Sequence, residues 1–267
     1  MSLKKDGEYK EWYSNGQLSI KICYKDGKFD GEYKQWYYNK QLSVEIYYKD
    51  GKLDGEYKQW YDNGQLSTEA YYKDNKRAGE YKQWYDNGRL YTHAFYKDDR
   101  RDKEYKQWYN NGQLSIEAYY KDDKRDKECK QWHDNGLLFV EAYYKYDKKD
   151  GEYKEWYYNG RLFIHSFYKD GKLDGKYKQW YNNGKLFTEA YYKNDKRDGE
   201  LKKWDTNNLL TRTYYIGTKE YKISLRKYMS LLYFKNILRK SYQKKIINAS
   251  NDFIINDLMG VIASYIV

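Results

Sequence analysis

Along most of the chain, aromatic or β-branched residues alternate with charged ones in short runs, as in Gly55-Glu56-Tyr57-Lys58-Gln59-Trp60 and Leu66-Ser67-Thr68-Glu69-Ala70-Tyr71-Tyr72-Lys73. A period of two marks strands whose two faces meet different surroundings. Between these two runs stands Asn63-Gly64, and the same dipeptide recurs at 15–16, 87–88, 111–112, 135–136, 159–160 and 183–184. Both central residues of a type I′ turn need positive φ, so Asn-Gly between alternating runs predicts a β-hairpin closed by that turn. The other connection, such as Lys25-Asp26-Gly27-Lys28 or Lys49-Asp50-Gly51-Lys52, reads as a longer turn between hairpins. Where it carries Asp98-Asp99 or Asp122-Asp123, the acidic side chains can bond locally to backbone.

The hairpin is repeated. Trp12, Trp36, Trp60, Trp84, Trp108, Trp132, Trp156, Trp180 and Trp204 are all the tryptophans, and they fall every 24 residues. A fixed period over nine copies makes the 24-residue unit the unit of folding. Eight full copies run from Gly7 to Asp198 and a degenerate ninth from Gly199 to Gly217, after a lead-in at 1–6. Equivalent positions in successive hairpins lie two strand spacings apart, about 9.6 Å, which gives an extended ribbon of roughly 85 Å. One hairpin is marginal alone, so stability must come from its neighbours.

A two-residue turn at Asn63-Gly64 fixes a register in which Asp62 faces Gln65, Tyr61 Leu66, Trp60 Ser67, Gln59 Thr68, Lys58 Glu69 and Tyr57 Ala70. One face then collects Tyr57, Tyr61, Leu66, Ala70 and Tyr72, and the other Glu56, Lys58, Trp60, Glu69 and Tyr71. Opposite charges meet across the strands in Lys58–Glu69, and likewise in Lys106–Glu117 and Lys130–Glu141. Strict alternation leaves the tryptophan column half exposed. An unbroken column nonetheless favours a packed tryptophan, turned inward by a bulge or a longer turn.

After Trp204 the period fades, and residues 218–267 read as a basic helical segment with helices at about 221–247 and 252–265. From Lys219 to Val267 there are nine basic and three acidic residues, more than half of the formal +11 of the whole chain. Two roles suit it: a cap on the open edge of the last hairpin, or a basic amphipathic attachment to an acidic membrane surface. The most apolar stretch, Phe253–Val267, contains Asp257 and is too short to span a bilayer. No apolar core follows the basic first residues, so a cleaved secretory signal is not expected and an intracellular, cytoplasmic location is.

Composition then narrows the chemistry. There are 38 Tyr and 9 Trp but only 3 His, 2 Cys and no Pro. Cys23 and Cys129 occupy different places in the repeat, which offers neither metal spacing nor a disulfide framework. His93 and His165 replace the glutamate found at Glu69 and Glu117 and lie three copies apart, about 29 Å, so they share no small site. His133 replaces the tyrosine that follows tryptophan. Carboxylates recur as equivalent columns without a unique pair, so we nominate no catalytic, cofactor-binding or metal-binding residue and expect no enzyme. Aromatics interleaved with lysines would suit single-stranded nucleic acid, but nearly every repeat lysine has an acidic neighbour, and a continuous positive groove is not implied.

The pattern Gly-x-Tyr-x-x-Trp-Tyr-x-Asn-Gly-x-Leu resembles the MORN repeat variant family, a class also found among bacterial antitoxin-like proteins and expanded in giant DNA viruses of amoebae. It is seen at Gly55, Tyr57, Trp60, Tyr61, Asn63, Gly64 and Leu66. The resemblance covers about 210 residues and departs at Lys103 and Lys127, where the opening glycine is missing, and at Lys40, where the turn glycine is missing. It implies an elongated, curved antiparallel sheet used for protein association, scaffolding or attachment near membranes, in the host cytoplasm if the protein is viral. The combined expectation is an all-β array of tandem hairpins in a single twisted sheet with a helical C-terminal cap. Such an array would bind an as yet unidentified protein partner, or an acidic membrane through its tail, and needs no cofactor.

Overall fold

A computed structural model describes residues 6–216 and 219–221, all within one antiparallel sheet of twenty strands. Each copy contributes a strand ending in tryptophan, such as Lys52–Trp60, and a strand beginning with leucine, such as Leu66–Lys73. The first tryptophan strand is Gly7–Trp12; the ninth is split into Lys196–Arg197 and Gly199–Trp204, followed by Leu210–Ile216 and Lys219–Tyr221. Every strand pairs only with its chain neighbours, so spatial order follows sequence order and the sheet stays open rather than closing into a barrel. Tyr221, where the first helix was expected to begin, is a strand residue. The rest of the expected helical segment lies outside the described residues.

The register agrees with expectation away from the turn and departs next to it. Tyr57 opposes Ala70, Lys58 opposes Glu69 and Gln59 opposes Thr68, but Trp60 opposes Leu66, leaving Ser67 as a bulge. The cause is the turn. Tyr61 N–H donates to Gln65 O at 2.8 Å and Gly64 N–H to Tyr61 O at 2.9 Å, which closes a three-residue loop, Asp62-Asn63-Gly64. Within it only Gly64 takes a left-handed φ, +84°. This is the type I turn with a glycine bulge, not the type I′ turn expected at Asn-Gly. Lys40 holds the same place in its loop at φ +73°.

The type I′ turns are in the other connection, expected to be the longer one. Lys25 and Lys28 pair directly, and Asp26 and Gly27 between them have φ of +50° and +69°. Asp98 and Asp99 do the same at +51° and +65°. Asp and Asn tolerate this region because their short polar side chains bond locally. Between copies the tryptophan strand carries a second irregularity: Asp54, Gly55 and Glu56 together oppose Tyr47. Lys103 and Lys127 keep that bend at φ +83° and +78°, so the missing glycines do not change the fold.

One face is the nearer thing to a core. Tyr57, Ala70, Tyr81 and Ala94 are successive cross-strand partners, so large rings alternate with alanines. The alanines fill the seats between rings, and Ala94 and Ala142 are 0% exposed. Tyr57 and Tyr72 rings meet at 5.6 Å, as do Tyr105 and Tyr120, in the tilted or edge-on geometry aromatic pairs prefer. The tryptophans were expected to be packed; they are half-buried from Trp36 to Trp204, and Trp12 on the edge strand is 59% exposed. They share the parity of Lys58 on the opposite face, as strict alternation requires.

Candidate docking surface

The tyrosine face is largely satisfied within itself. Arg77, Arg101 and Arg125 each lie 4.0–4.1 Å over a tyrosine of the following strand, Tyr96, Tyr120 or Tyr144. Each also reaches the aspartate at the second place of the next turn, at 3.2 Å to Asp99, 3.0 Å to Asp123 and 3.3 Å to Asp147. Lys149 continues the row, 3.7 Å over Tyr153, but Gly171 stands where its aspartate would be, and burial pushes its ammonium pKa down. Tyr153 O–H donates to Glu155 at 2.7 Å and Tyr57 O–H to Gln59 at 3.1 Å. Burial raises the phenol pKa values of Tyr57, Tyr81 and Tyr105 on this face, and that of Tyr177 to about 12.

The opposite face is a ladder of alternating charge. Lys106 reaches Glu117 at 3.0 Å, Lys130 reaches Glu141 at 3.5 Å and Lys58 reaches Glu69 at 3.9 Å, the three pairs expected from the register. Within strands, Lys58–Glu56 and Lys154–Glu152 close at 2.7 and 2.8 Å. Such half-exposed pairs contribute little stability each, yet a slipped register would set like charges opposite one another. His93 and His165 sit in this ladder with Nε2 at 2.8 Å from Glu80 and 2.7 Å from Glu152. They are pairing members in two separate copies, and the structure does not bring them together. The Lys82 ammonium beside Glu80 holds its carboxyl below the usual range, against the opposing effect of burial.

Beside the ladder runs a row that composition did not single out. The first tyrosine of each Tyr-Tyr pair points to the charged face, since neighbours on a strand point oppositely. Tyr47, Tyr71, Tyr143 and Tyr191 are 53%, 45%, 41% and 44% exposed, while Phe95, Tyr119 and Phe167 in the same row are half-buried. Between Tyr47 and Tyr71 lies an open groove with Gly55 in its floor and Glu32, Glu45, Ile46 and Glu56 on its sides. A Cβ on Gly55 would come within 2.8 Å of Tyr47 Cβ, so glycine is what lets the ring lie on the backbone. The signal was present in the sequence as the first aromatic of the doubled pair that ends every leucine strand after Leu18–Lys25, where Cys23 takes its place, but a doubled aromatic alone does not say which ring stays in water.

The remaining singled-out residues are structural. Cys129 is buried on the tyrosine face, where burial raises its thiol pKa, and Cys23 is half-buried. His133 packs between Phe139 and Tyr158 at 4.8 and 5.0 Å. Among the described residues no group of three His, Cys, Asp or Glu side chains is placed to hold a metal ion, and no helix is long and apolar enough to cross a membrane.

The family model described as MORN repeat variant matches seven segments, residues 5–26, 29–50, 53–74, 77–98, 101–122, 149–170 and 173–194, together more than half of the chain. The matches pass over the copy holding Cys129 and His133, although that copy keeps the common register. No curated protein matches. Among solved structures, the crystal structure of TcdB2-TccC3 is similar at 10% identity and a TM-score of 0.22; the likeness covers 80% of this chain and 15% of that one, and it bears on neither fold nor function here.

Proposed function

The chain belongs to the MORN repeat variant family, and from that premise we propose that it is a non-catalytic scaffold whose charged, tyrosine-lined face docks a protein partner. One observation carries this reading: among the described strand tyrosines, Tyr47, Tyr71, Tyr143 and Tyr191 keep 41–53% of their surface in water, all on one face, while those of the other face pack against alanine, arginine and each other. Tyrosine supplies contact area at small entropic cost and a hydroxyl for polar matching, and the neighbouring Lys/Glu ladder supplies a charged rim. The tyrosine face suits docking less well, because its rings already pack against alanine, arginine and one another.

A photoreactive phenylalanine analogue at position 71 or 143, in cells that make the protein, is expected to capture a discrete protein. The same analogue at position 81 or 105, on the tyrosine face, is expected to capture none. Equal capture from both faces, or no adduct from the charged face, would overturn the assignment.

A further inference from the structure

The turns between copies share one further contact, and one copy departs from it. Asp99 Oδ1 accepts from the Arg77 backbone N–H at 2.9 Å and from its Nε at 3.2 Å. Asp123 does the same for Arg101 at 2.9 and 3.0 Å, and Asp147 for Arg125 at 2.9 and 3.3 Å. One carboxylate oxygen thus serves a main-chain donor and a side-chain cation together, which orients the acid as well as neutralising it. Asn75 and Asp195 keep the main-chain half of the contact, to the N–H of Leu53 and Leu173 at 2.7 and 2.8 Å.

At Lys149 both donors are present and the chain supplies no acceptor. The Lys149 carbonyl accepts from the Gly171 N–H at 2.8 Å, as that of Arg77 accepts from Asp99 at 3.1 Å, so the two turns stand in the same relation to the strand beside them. Gly171 has no side chain, however. Among the described residues no carboxylate pairs with the Lys149 ammonium and no side chain accepts from its N–H. The ammonium lies 3.7 Å from the centre of the Tyr153 ring and 4.8 Å from that of Tyr168. Burial lowers its pKa, with the Arg125 guanidinium adding to the effect, and the Glu155 carboxylate offsets them only in part, being itself bonded to the Tyr153 hydroxyl at 2.7 Å.

A second departure adds to the first. Tyr146 stands where Asp98 and Asp122 begin their turns, so the turn leading into Lys149 has lost an acid as well. Lys145 and Lys148 face each other across that turn, and neither makes an ion pair among the described residues. Lys148 Cβ lies 3.7 Å from the point a Cβ on Gly171 would occupy. Phe29 likewise faces a glycine, Gly51, whose N–H reaches its carbonyl at 2.8 Å, but it brings no cation.

We propose that Lys149 binds an external carboxylate through its ammonium and backbone N–H, beside Lys148 and Gly171, in the place that Asp99, Asp123 and Asp147 fill from within the chain. The molecule itself selects this chemistry, since three copies meet the same pair of donors with a carboxylate. A small organic acid or an aspartate presented by a polypeptide would supply it. The site lies at the turn edge of the tyrosine face and does not rest on the charged face being the docking face.

The test is a proton–nitrogen correlation spectrum of the full chain labelled at lysine and phenylalanine, with the amides identified by their loss in Lys149→Arg and Phe29→Leu. When acetate replaces chloride at constant ionic strength, the Lys149 amide is expected to move and to half-saturate at about 10–100 mM, while the Phe29 amide stays in place. A Gly-Asp-Gly peptide blocked at both ends that half-saturates ~tenfold lower would identify a polypeptide source, and one that needs the acetate concentration a small acid. Gly171→Asp places at this turn the residue that Asp99, Asp123 and Asp147 already carry there at positive φ. It should therefore fold, as its melting temperature would show, and abolish the response to acetate. A shift that does not saturate, an equal response at Phe29, the same response in folded Gly171→Asp, or saturation by inorganic phosphate below the acetate concentration would overturn the inference.

Discussion

Tyr109 shows how a single side chain ties one copy to the next. Its hydroxyl donates to the backbone carbonyl of Trp132 at 2.7 Å, as Tyr61 donates to Trp84 and Tyr157 to Trp180. The asparagine of each loop works alongside. Asn111 Oδ1 accepts from the Gln113 N–H at 2.9 Å while its amide donates to Asp134 O in the next loop at 2.7 Å. Tyr109→Phe keeps the ring and leaves a part-buried carbonyl without its donor. The expected cost is about 1 kcal/mol, read as a lower urea midpoint, whereas Tyr71→Phe on the open face should cost nothing measurable. These links were not legible in the sequence, because Asn-Gly serves a type I′ turn and a type I turn with a glycine bulge equally well. What distinguishes them is the amide's second partner, which exists only once two copies are stacked. The Lys58–Glu69 pairing was legible, since it needs only parity and charge.

At the scale of the strand, burial of tyrosine sets the response to alkali. The phenols of Tyr57, Tyr81, Tyr105, Tyr153 and Tyr177 all have pKa values raised above the ordinary phenol value chiefly by burial, that of Tyr177 to about 12. A group whose folded pKa lies above its unfolded value contributes stability in full below the unfolded value and loses it as pH rises toward the folded one. The array is therefore expected to be insensitive to pH between 7 and 9 and to melt cooperatively above pH 10, with tyrosinate absorbance and loss of β circular dichroism rising together. Free titration of all phenols near pH 10 with the dichroism unchanged would contradict it. The Tyr57/Ala70 face could be read from alternation alone. The position of tryptophan could not: a bulge at Ser67 changes its partner without changing its parity, and no property of Trp60 announces that bulge.

At the scale of the molecule, each described strand pairs only with its neighbours in the chain, so stability is close to a sum of copy and interface contributions. Removing residues 101–124 joins Arg100 to Arg125 and restores the local sequence of a normal junction. The shortened chain should fold with the same spectrum and a slightly lower melting temperature. Removing only 101–112 deletes one strand, reverses the direction of everything after it and should leave an unfolded or aggregating product.

The likeness of every internal interface also bears on how such a chain grows. An in-frame duplication of one copy inserts a hairpin whose two borders already exist elsewhere in the protein, so the longer product needs no new complementary surface. The length of the sheet is thus inherited as a copy number.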